Sequence, residues 1–213
     1  MIKLAFFDMD GVLTVEKSSW FYVNNKLGIN NRENYMKYMK GQLPYPDFFR
    51  LDLKAWIEKY PGIEGNYIKN ILNEIKPVTG LGKTMKYLKN KNIISVIVSG
   101  GISWLSDRIA RDYGIYEAYA NKIYCDDNGR IIPDGEVQVD PSYKDYVMEK
   151  VMAKYGLKPG ECIAVGDSES DYSMYRAVPN FIAFNSDSDL LLKISSASME
   201  NDLSGLIKFL ESY

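Results

Sequence analysis

The residues in this sequence that could do chemistry together are Asp8 and Asp10 in "FFDMDG", Ser99 in "SGG", Lys144 in "SYKDY", and Asp167 and Asp171 in "GDSESD". Asp8 and Asp10 follow the four apolar residues Leu4 to Phe7. Burying a charge without a partner is costly, so either the acids cap a solvated turn or they hold a cation. Residues i and i+2 of an extended segment point the same way, which would bring Asp10 to the ligand that Asp8 meets. Mg2+ is satisfied by one or two carboxylates plus water and phosphate oxygens, and Asp8 with Asp167 would suffice. Beside such an ion an Asp can attack a phosphoryl group, while a second carboxyl acts as general acid and then base. Ser99 can donate a hydrogen bond to a phosphate oxygen, Gly100 and Gly101 let backbone N–H groups approach an anion, and Lys144 adds positive charge. A turn, a loop or a helix cap would explain any one of these alone. Their joint occurrence points to a phosphoryl site.

The elements around them fit that reading. Leu4 to Phe7, Ile93 to Val98, Cys162 to Gly166 and Phe181 to Phe184 are short apolar runs, expected to be strands covered on both faces. Helical patterns lie between them at Leu81 to Asn90, Ser103 to Tyr113, Tyr143 to Tyr155, Asp171 to Ala177 and Leu203 to Glu211. The alternation predicts an α/β fold with a doubly wound parallel sheet, and the acids and Ser99 follow strand ends on its ligand-binding side. From about Glu16 to Lys76 the chain is helix-like and strand-poor, which suggests a small helical cap (16–76) inserted into a core of 1–15 and 77–213. Asn121 to Val139 has turn signals at "DDNG" and "PDG" and is expected to be a hairpin excursion. Asn185 to Ser198 is expected to be a loop with a short helix.

Composition removes several function classes. The 213 residues carry 26 Lys and Arg against 28 Asp and Glu, a balance that offers no basic footprint for nucleic acid. The Lys-rich run Lys83 to Asn92 suits a solvated helix face. Histidine is absent, so Ser-His-Asp triads, Cys-His pairs and histidine metal sites are excluded. Cys125 and Cys162 form no CxxC pair and are expected to be plain thiols. With no apolar stretch of membrane-spanning length and no leader, the protein is expected to be soluble and cytoplasmic, with no membrane partner.

With these motifs in place, the chain resembles the haloacid dehalogenase-like (HAD) hydrolases. "DMDGVLT" is similar to their motif I, Ser99 fits motif II, Lys144 motif III and "GDSESD" motif IV. The resemblance implies that Asp8 is the nucleophile and Asp10 the acid-base. It also implies Mg2+ held by the Asp8 side chain, the Asp10 backbone carbonyl and Asp167, supported by Asp171, with Thr14 in the motif I turn. The insertion resembles the C1 cap of the phosphoserine phosphatase-like branch. There "YPDFFR" can be aligned so that Arg50 takes the place of an Arg for the substrate carboxylate, a job suited to a bidentate group. Lys17 stands where that branch carries a Glu for the substrate amine, and Gly11 where motif I usually has Ser. Lys17 would repel an ammonium group.

The implied activity is hydrolysis of a small, anionic phosphomonoester through an aspartyl-phosphate. The alternatives are phosphotransfer or mutase chemistry in the same superfamily, or non-catalytic binding of a phosphorylated ligand. Most of the aromatics Trp20, Phe21, Tyr22, Tyr35, Tyr38, Tyr45, Phe48, Phe49 and Trp56 are expected to pack the insertion, with a minority lining a pocket. Lys17, Arg50 and one such ring are expected to set specificity.

Overall fold

The computed structural model describes residues 1–212. Its centre is a seven-stranded sheet in the order β4-β3-β2-β1-β5-β6-β7. The middle strand β1 (Leu4–Phe7) lies parallel between β2 (Ile94–Ile102) and β5 (Cys162–Gly166), with Phe7 in register with Ile97 on one side and Val165 on the other. β6 (Asn180–Phe184) and β7 (Ala197–Met199) extend the sheet beyond β5 in parallel. Beyond β2, β3 (Glu117–Cys125) is parallel, and β4 (Ile131–Glu136) closes that edge as an antiparallel hairpin partner.

Strand alternation explains why the sheet is covered twice. Ala5, Phe7, Ile97, Ile163, Val165 and Ile182 face one apolar layer, which includes α5 (Leu81–Asn90), α6 (Ser103–Tyr113) and α10 (Gly205–Glu211). Leu4, Phe6, Val96, Val98, Ala164 and Phe181 face the other, built on α7 (Asp145–Tyr155), α8 (Tyr172–Ala177) and α9 (Asp189–Ile194). All four β1 side chains are fully buried. Truncating Phe6 or Phe7 to Ala would cost about 3–5 kcal/mol.

Four helices intervene between β1 and α5: α1 (Ser19–Leu27), α2 (Arg32–Met39), α3 (Tyr45–Lys59) and α4 (Gly65–Asn73). α1 begins where the Ser18 side chain accepts a hydrogen bond from Phe21 N, and ends at Gly28 in the left-handed region. Val23, Leu53, Trp56 and Ile68 from these helices share one continuous apolar cluster with the sheet face that carries Ala5 and Phe7. Trp20 packs on Phe49 and Trp56, and Tyr38 stacks on Phe48, as expected of packing aromatics. Tyr35 reaches the edge of this group, with its ring 6.4 Å from that of Phe48, but is 45% exposed, and Phe21 is 60% exposed.

The sequence-based element boundaries need correction in several places. β2 does not stop at Val98; it continues through Ser99, Gly100 and Gly101 to Ile102, with a register irregularity against β3 between Val98 and Ile102. The hairpin's first arm begins four residues earlier than expected, at Glu117, and is a full member of the parallel sheet. The turn is at "DDNG", where Asp126 Oδ1 accepts from Asn128 N and Arg130 N, whereas "PDG" lies inside β4. An edge strand tolerates that proline because a missing N–H need not break a ladder bond. β7 was also absent from the expected loop and helix at 185–198.

Candidate active site

Register alone gathers the site. Asp8 is one residue past Phe7, Ser99 two past Ile97 and Asp167 two past Val165, so three adjacent parallel strands deliver polar residues to one end of the sheet. β1 is where the winding direction reverses, the usual place for a ligand crevice in such sheets. Asp8, Asp10, Ser99, Lys144, Asp167 and Asp171 are each no more than 7% exposed.

Burying four carboxylates demands partners, and the donors are specific. Lys144 Nζ, just ahead of α7, is 2.8 Å from Asp8 Oδ1 and 2.6 Å from Asp171 Oδ1. Asp171 Oδ2 accepts from the backbone N–H groups of Asp167 and Ser168. Both Asp171 oxygens are thus committed, and this residue shapes the loop that presents Asp167. Asp10 Oδ2 accepts from Ser19 N at 2.8 Å and from Ser19 Oγ at 2.7 Å, while its buried Oδ1 has no hydrogen-bond partner among the described residues. Thr14 Oγ1 donates to Met9 O and Glu16 O, closing the turn that follows Asp10.

The electrostatics follow from this packing. Burial raises the Asp8 carboxyl above its ordinary value; Lys144 opposes the shift and Asp171 adds to it. Burial, reinforced by the Asp8 charge, pushes Asp10 up to about 7, against the Ser19 hydrogen bonds. Burial together with Asp8 and Asp171 carries Asp167 to about 8. Burial alone would lower Lys144, but the charges of Asp171 and Asp8 outweigh it and hold the ammonium protonated. One lysine against four acids leaves an excess of negative charge in a dry place. Carboxylate oxygens of Asp8, Asp167 and Asp171 all lie within 4.8 Å of one another, a hard-oxygen set suited to a divalent cation.

Glycines permit this crowding at two points. Gly11 has φ +79°, and a Cβ there would run into the Asp167 carboxylate, which gives a local reason for Gly rather than Ser. A Cβ at Gly101 would stand 2.7 Å from Asp10 Oδ2 and 2.8 Å from Ser19 Oγ.

Of the residues expected to contact substrate, Gly100 and Gly101 join the cluster through β2. Lys17 sits at its rim: its charge lowers Asp167, and its Nζ pairs with Asp187 at 2.9 Å in the loop after β6. Arg50 is held elsewhere. Its Nε donates to Asp134 Oδ1 of β4 at 3.2 Å, with Asp47 at 3.7 Å, and its side chain is nearly half exposed.

Several site residues were missed from the sequence. Ser19 follows Asp10 at no motif spacing, and its only mark was a place just before an aromatic helix. Asn121 could have been noticed as a lone amide in "YANKIYC"; it is fully buried, and the two protons of its Nδ2 are shared among Gly100 O, Val139 O and Tyr45 Oη.

Comparison with known proteins agrees with this geometry. The family model for haloacid dehalogenase-like hydrolases matches residues 2–178. The chain belongs to that family. This haloacid dehalogenase-like hydrolase is 26% identical over 210 residues to the phosphoserine phosphatase of Methanocaldococcus jannaschii, covering 98% of both chains. It is also 26% identical over 215 residues to that of Archaeoglobus fulgidus, where 98% of this chain spans 60% of the relative's length. A solved structure described as a phospho-aspartyl intermediate analogue of phosphoserine phosphatase shares the hydrolase's fold with a TM-score of 0.81 at 24% identity, 98% of each chain being covered.

Proposed function

We propose that the protein is a Mg2+-dependent phosphomonoesterase that works on a small anionic metabolite through an aspartyl-phosphate. One observation carries the reading: Asp10 is clamped through Oδ2 while its buried Oδ1 is left without a partner, beside an Asp8 carboxylate already paired with Lys144. That is how a nucleophile and a separately positioned proton carrier would be arranged.

In this reading Asp8 attacks the phosphorus, and the leaving alkoxide takes a proton from Asp10, whose elevated pKa suits that role. Asp10 then accepts a proton from the water that hydrolyses the aspartyl-phosphate. Lys144 and the Ser99 hydroxyl hold phosphoryl oxygens, aided by the N–H of Gly100, while the Gly101 N–H donates to Ser99 Oγ. Asp8 and Asp167, with the Asp10 carbonyl, would hold Mg2+, and Asp171 would orient the Asp167 loop. When bound, the ion supplies Lewis-acid neutralisation of charge between carboxylate and phosphate.

We assign residues 16–76 as a cap over a core of 1–15 and 77–213. The near-complete burial of the acids supports a cap that must lift for substrate to enter. Lys17 at the rim favours a substrate whose remote end is anionic, and Arg50 would join it by exchanging Asp134 for a substrate carboxylate. The substrate class of the relatives, phosphoserine, is one member of the set to be tried. Two unpaired cysteines and the lack, among the described residues, of a helix long and apolar enough to cross a membrane support a cytoplasmic setting.

The deciding experiment measures phosphate release from a panel of small phosphomonoesters, O-phosphoserine included, with Mg2+ or EDTA, for the wild type and Asp8→Asn. Metal-dependent release that vanishes in the variant is expected. Release that persists in Asp8→Asn, or silence across the panel from folded protein, would overturn the reading.

A further inference from the structure

The backbone carbonyl of Gly100 is hydrogen-bonded to an unusual degree. Trp20 Nε1 of α1 donates to it at 3.1 Å, Tyr45 Oη of α3 at 2.8 Å and Asn121 Nδ2 of β3 at 2.9 Å. A carbonyl oxygen has two lone pairs, which the Trp20 and Tyr45 donors alone can fill, with the Asn121 amide as a third, shared donor. Asn121 Nδ2 has two protons: one meets Val139 O at 3.0 Å, and the other is shared between Gly100 O and Tyr45 Oη at 3.0 Å, while the phenol's own proton points at Gly100. Burial holds the Tyr45 phenol well above its ordinary pKa, so it stays a donor. Among these donors, two come from the helices between β1 and α5 and one from the sheet.

The peptide that bears this carbonyl has the Gly101 N–H at its other end, and that N–H donates to Ser99 Oγ at 3.2 Å. Donors on a peptide oxygen polarise the unit and strengthen its N–H as a donor. With a lone pair of Ser99 Oγ fixed by Gly101, the hydroxyl proton must point elsewhere, and Asp8 is the acceptor that faces it. The line runs from Trp20 and Tyr45, through one peptide, to the direction of the Ser99 hydroxyl.

We propose that Tyr45 and Trp20 are positioning residues which act on the reaction through the Gly100–Gly101 peptide, so that Ser99 is aimed at the phosphoryl site only when α1 and α3 are seated. The inference rests on the phosphatase reading. It assigns these two residues a role in the chemical step that their packing alone would not give.

The test is a double-mutant cycle on the best phosphomonoester, combining Tyr45→Phe with Ser99→Ala, and Trp20→Phe as an independent variant. Tyr45→Phe is expected to lower kcat/KM about tenfold, the worth of one hydrogen bond, mainly through kcat. In the Ser99→Ala background the same change is expected to cost less than about twofold, because the group it acts through is gone. The Gly101 amide proton, followed by NMR without substrate, is expected to move upfield in Tyr45→Phe and in Trp20→Phe. Undiminished effects of Tyr45→Phe in the Ser99→Ala protein, or an unmoved Gly101 amide, would overturn the inference and leave the phosphatase reading intact. A wild type that releases no phosphate would overturn both. Thermal melts of each variant separate a loss of folding from a loss of aim.

Discussion

The acid cluster at the end of β1, β2 and β5 and the two outlying cations, Lys17 at its rim and Arg50 beside β4, are built on opposite principles. In the cluster every carboxylate is buried, and Asp10 and Asp171 are fixed by short, named donors. Outside it both cations are about half exposed and pair with exposed acids, Asp187 and Asp134. Buried charges in a low-dielectric place hold their geometry or lose much stability, whereas exposed pairs exchange partners cheaply. The buried cluster is therefore rigid, whereas the proposed specificity residues are free to be drawn away from their present partners.

The sharpest way to break this contrast is Asp8→Asn, expected to reduce phosphate release at least about a thousandfold while the protein stays folded. Residual activity within tenfold of wild type would remove Asp8 from the chemistry. Next is Lys144→Met, which leaves Asp8 and Asp171 without their buried cation and is expected to cost about 3–5 kcal/mol in denaturant unfolding. A cost below about 1 kcal/mol would mean that the cluster does not depend on the pair.

A buried acid away from the cluster gives an internal control. Asp52 on α3 lies where burial pushes its carboxyl up to about 6, against hydrogen bonds from Asn31 and Asn24. Because the folded pKa is raised above the ordinary 3.8, the protonated form is the one that favours folding. Its contribution is complete below about pH 4 and is lost as pH rises through about 6. Relative to Asp52→Asn, the wild type is expected to lose up to about 3 kcal/mol between pH 4 and 7.5, measured as the difference in unfolding free energy. A pH-independent difference would contradict the assignment.

Smaller effects sharpen the picture. Gly11→Ala, at positive φ and against Asp167, is expected to cost about 1–3 kcal/mol and to raise the Mg2+ concentration needed for half-maximal activity. Arg50→Ala is expected to raise KM only several-fold, about threefold to tenfold, and only for phosphomonoesters that carry a carboxylate. Unchanged kinetics would confine Arg50 to its tie with Asp134.

The same contrast explains what could be read from the sequence. β1, β5 and most of β2 and β6 were legible because strands covered on both faces are unbroken apolar runs, and the acids were legible because they directly follow such runs. β7 was not, being three residues of which none is fully buried. Ser99 to Ile102 read as a loop because "SGG" has turn composition, yet the small residues there serve close packing against Asp10 and Ser19. Ser19 and Asn121 lack any motif spacing; they reach the site only through the folded path of the chain, and no local pattern encodes that, while Tyr45 stood out only as one ring among several in the insertion.

The two margins of the sheet also bear on how the protein behaves in concentrated solution. One margin is β4, which contains Pro133 and the charged residues Asp134 and Glu136 and lies beside α3; the other is β7, only three residues long. Neither presents the long, flat, apolar row of free amides and carbonyls onto which a foreign strand can add. Strand-by-strand aggregation of the native protein is thus blocked at both ends of the sheet, so that the strongly apolar inner strands become a hazard only when the chain unfolds.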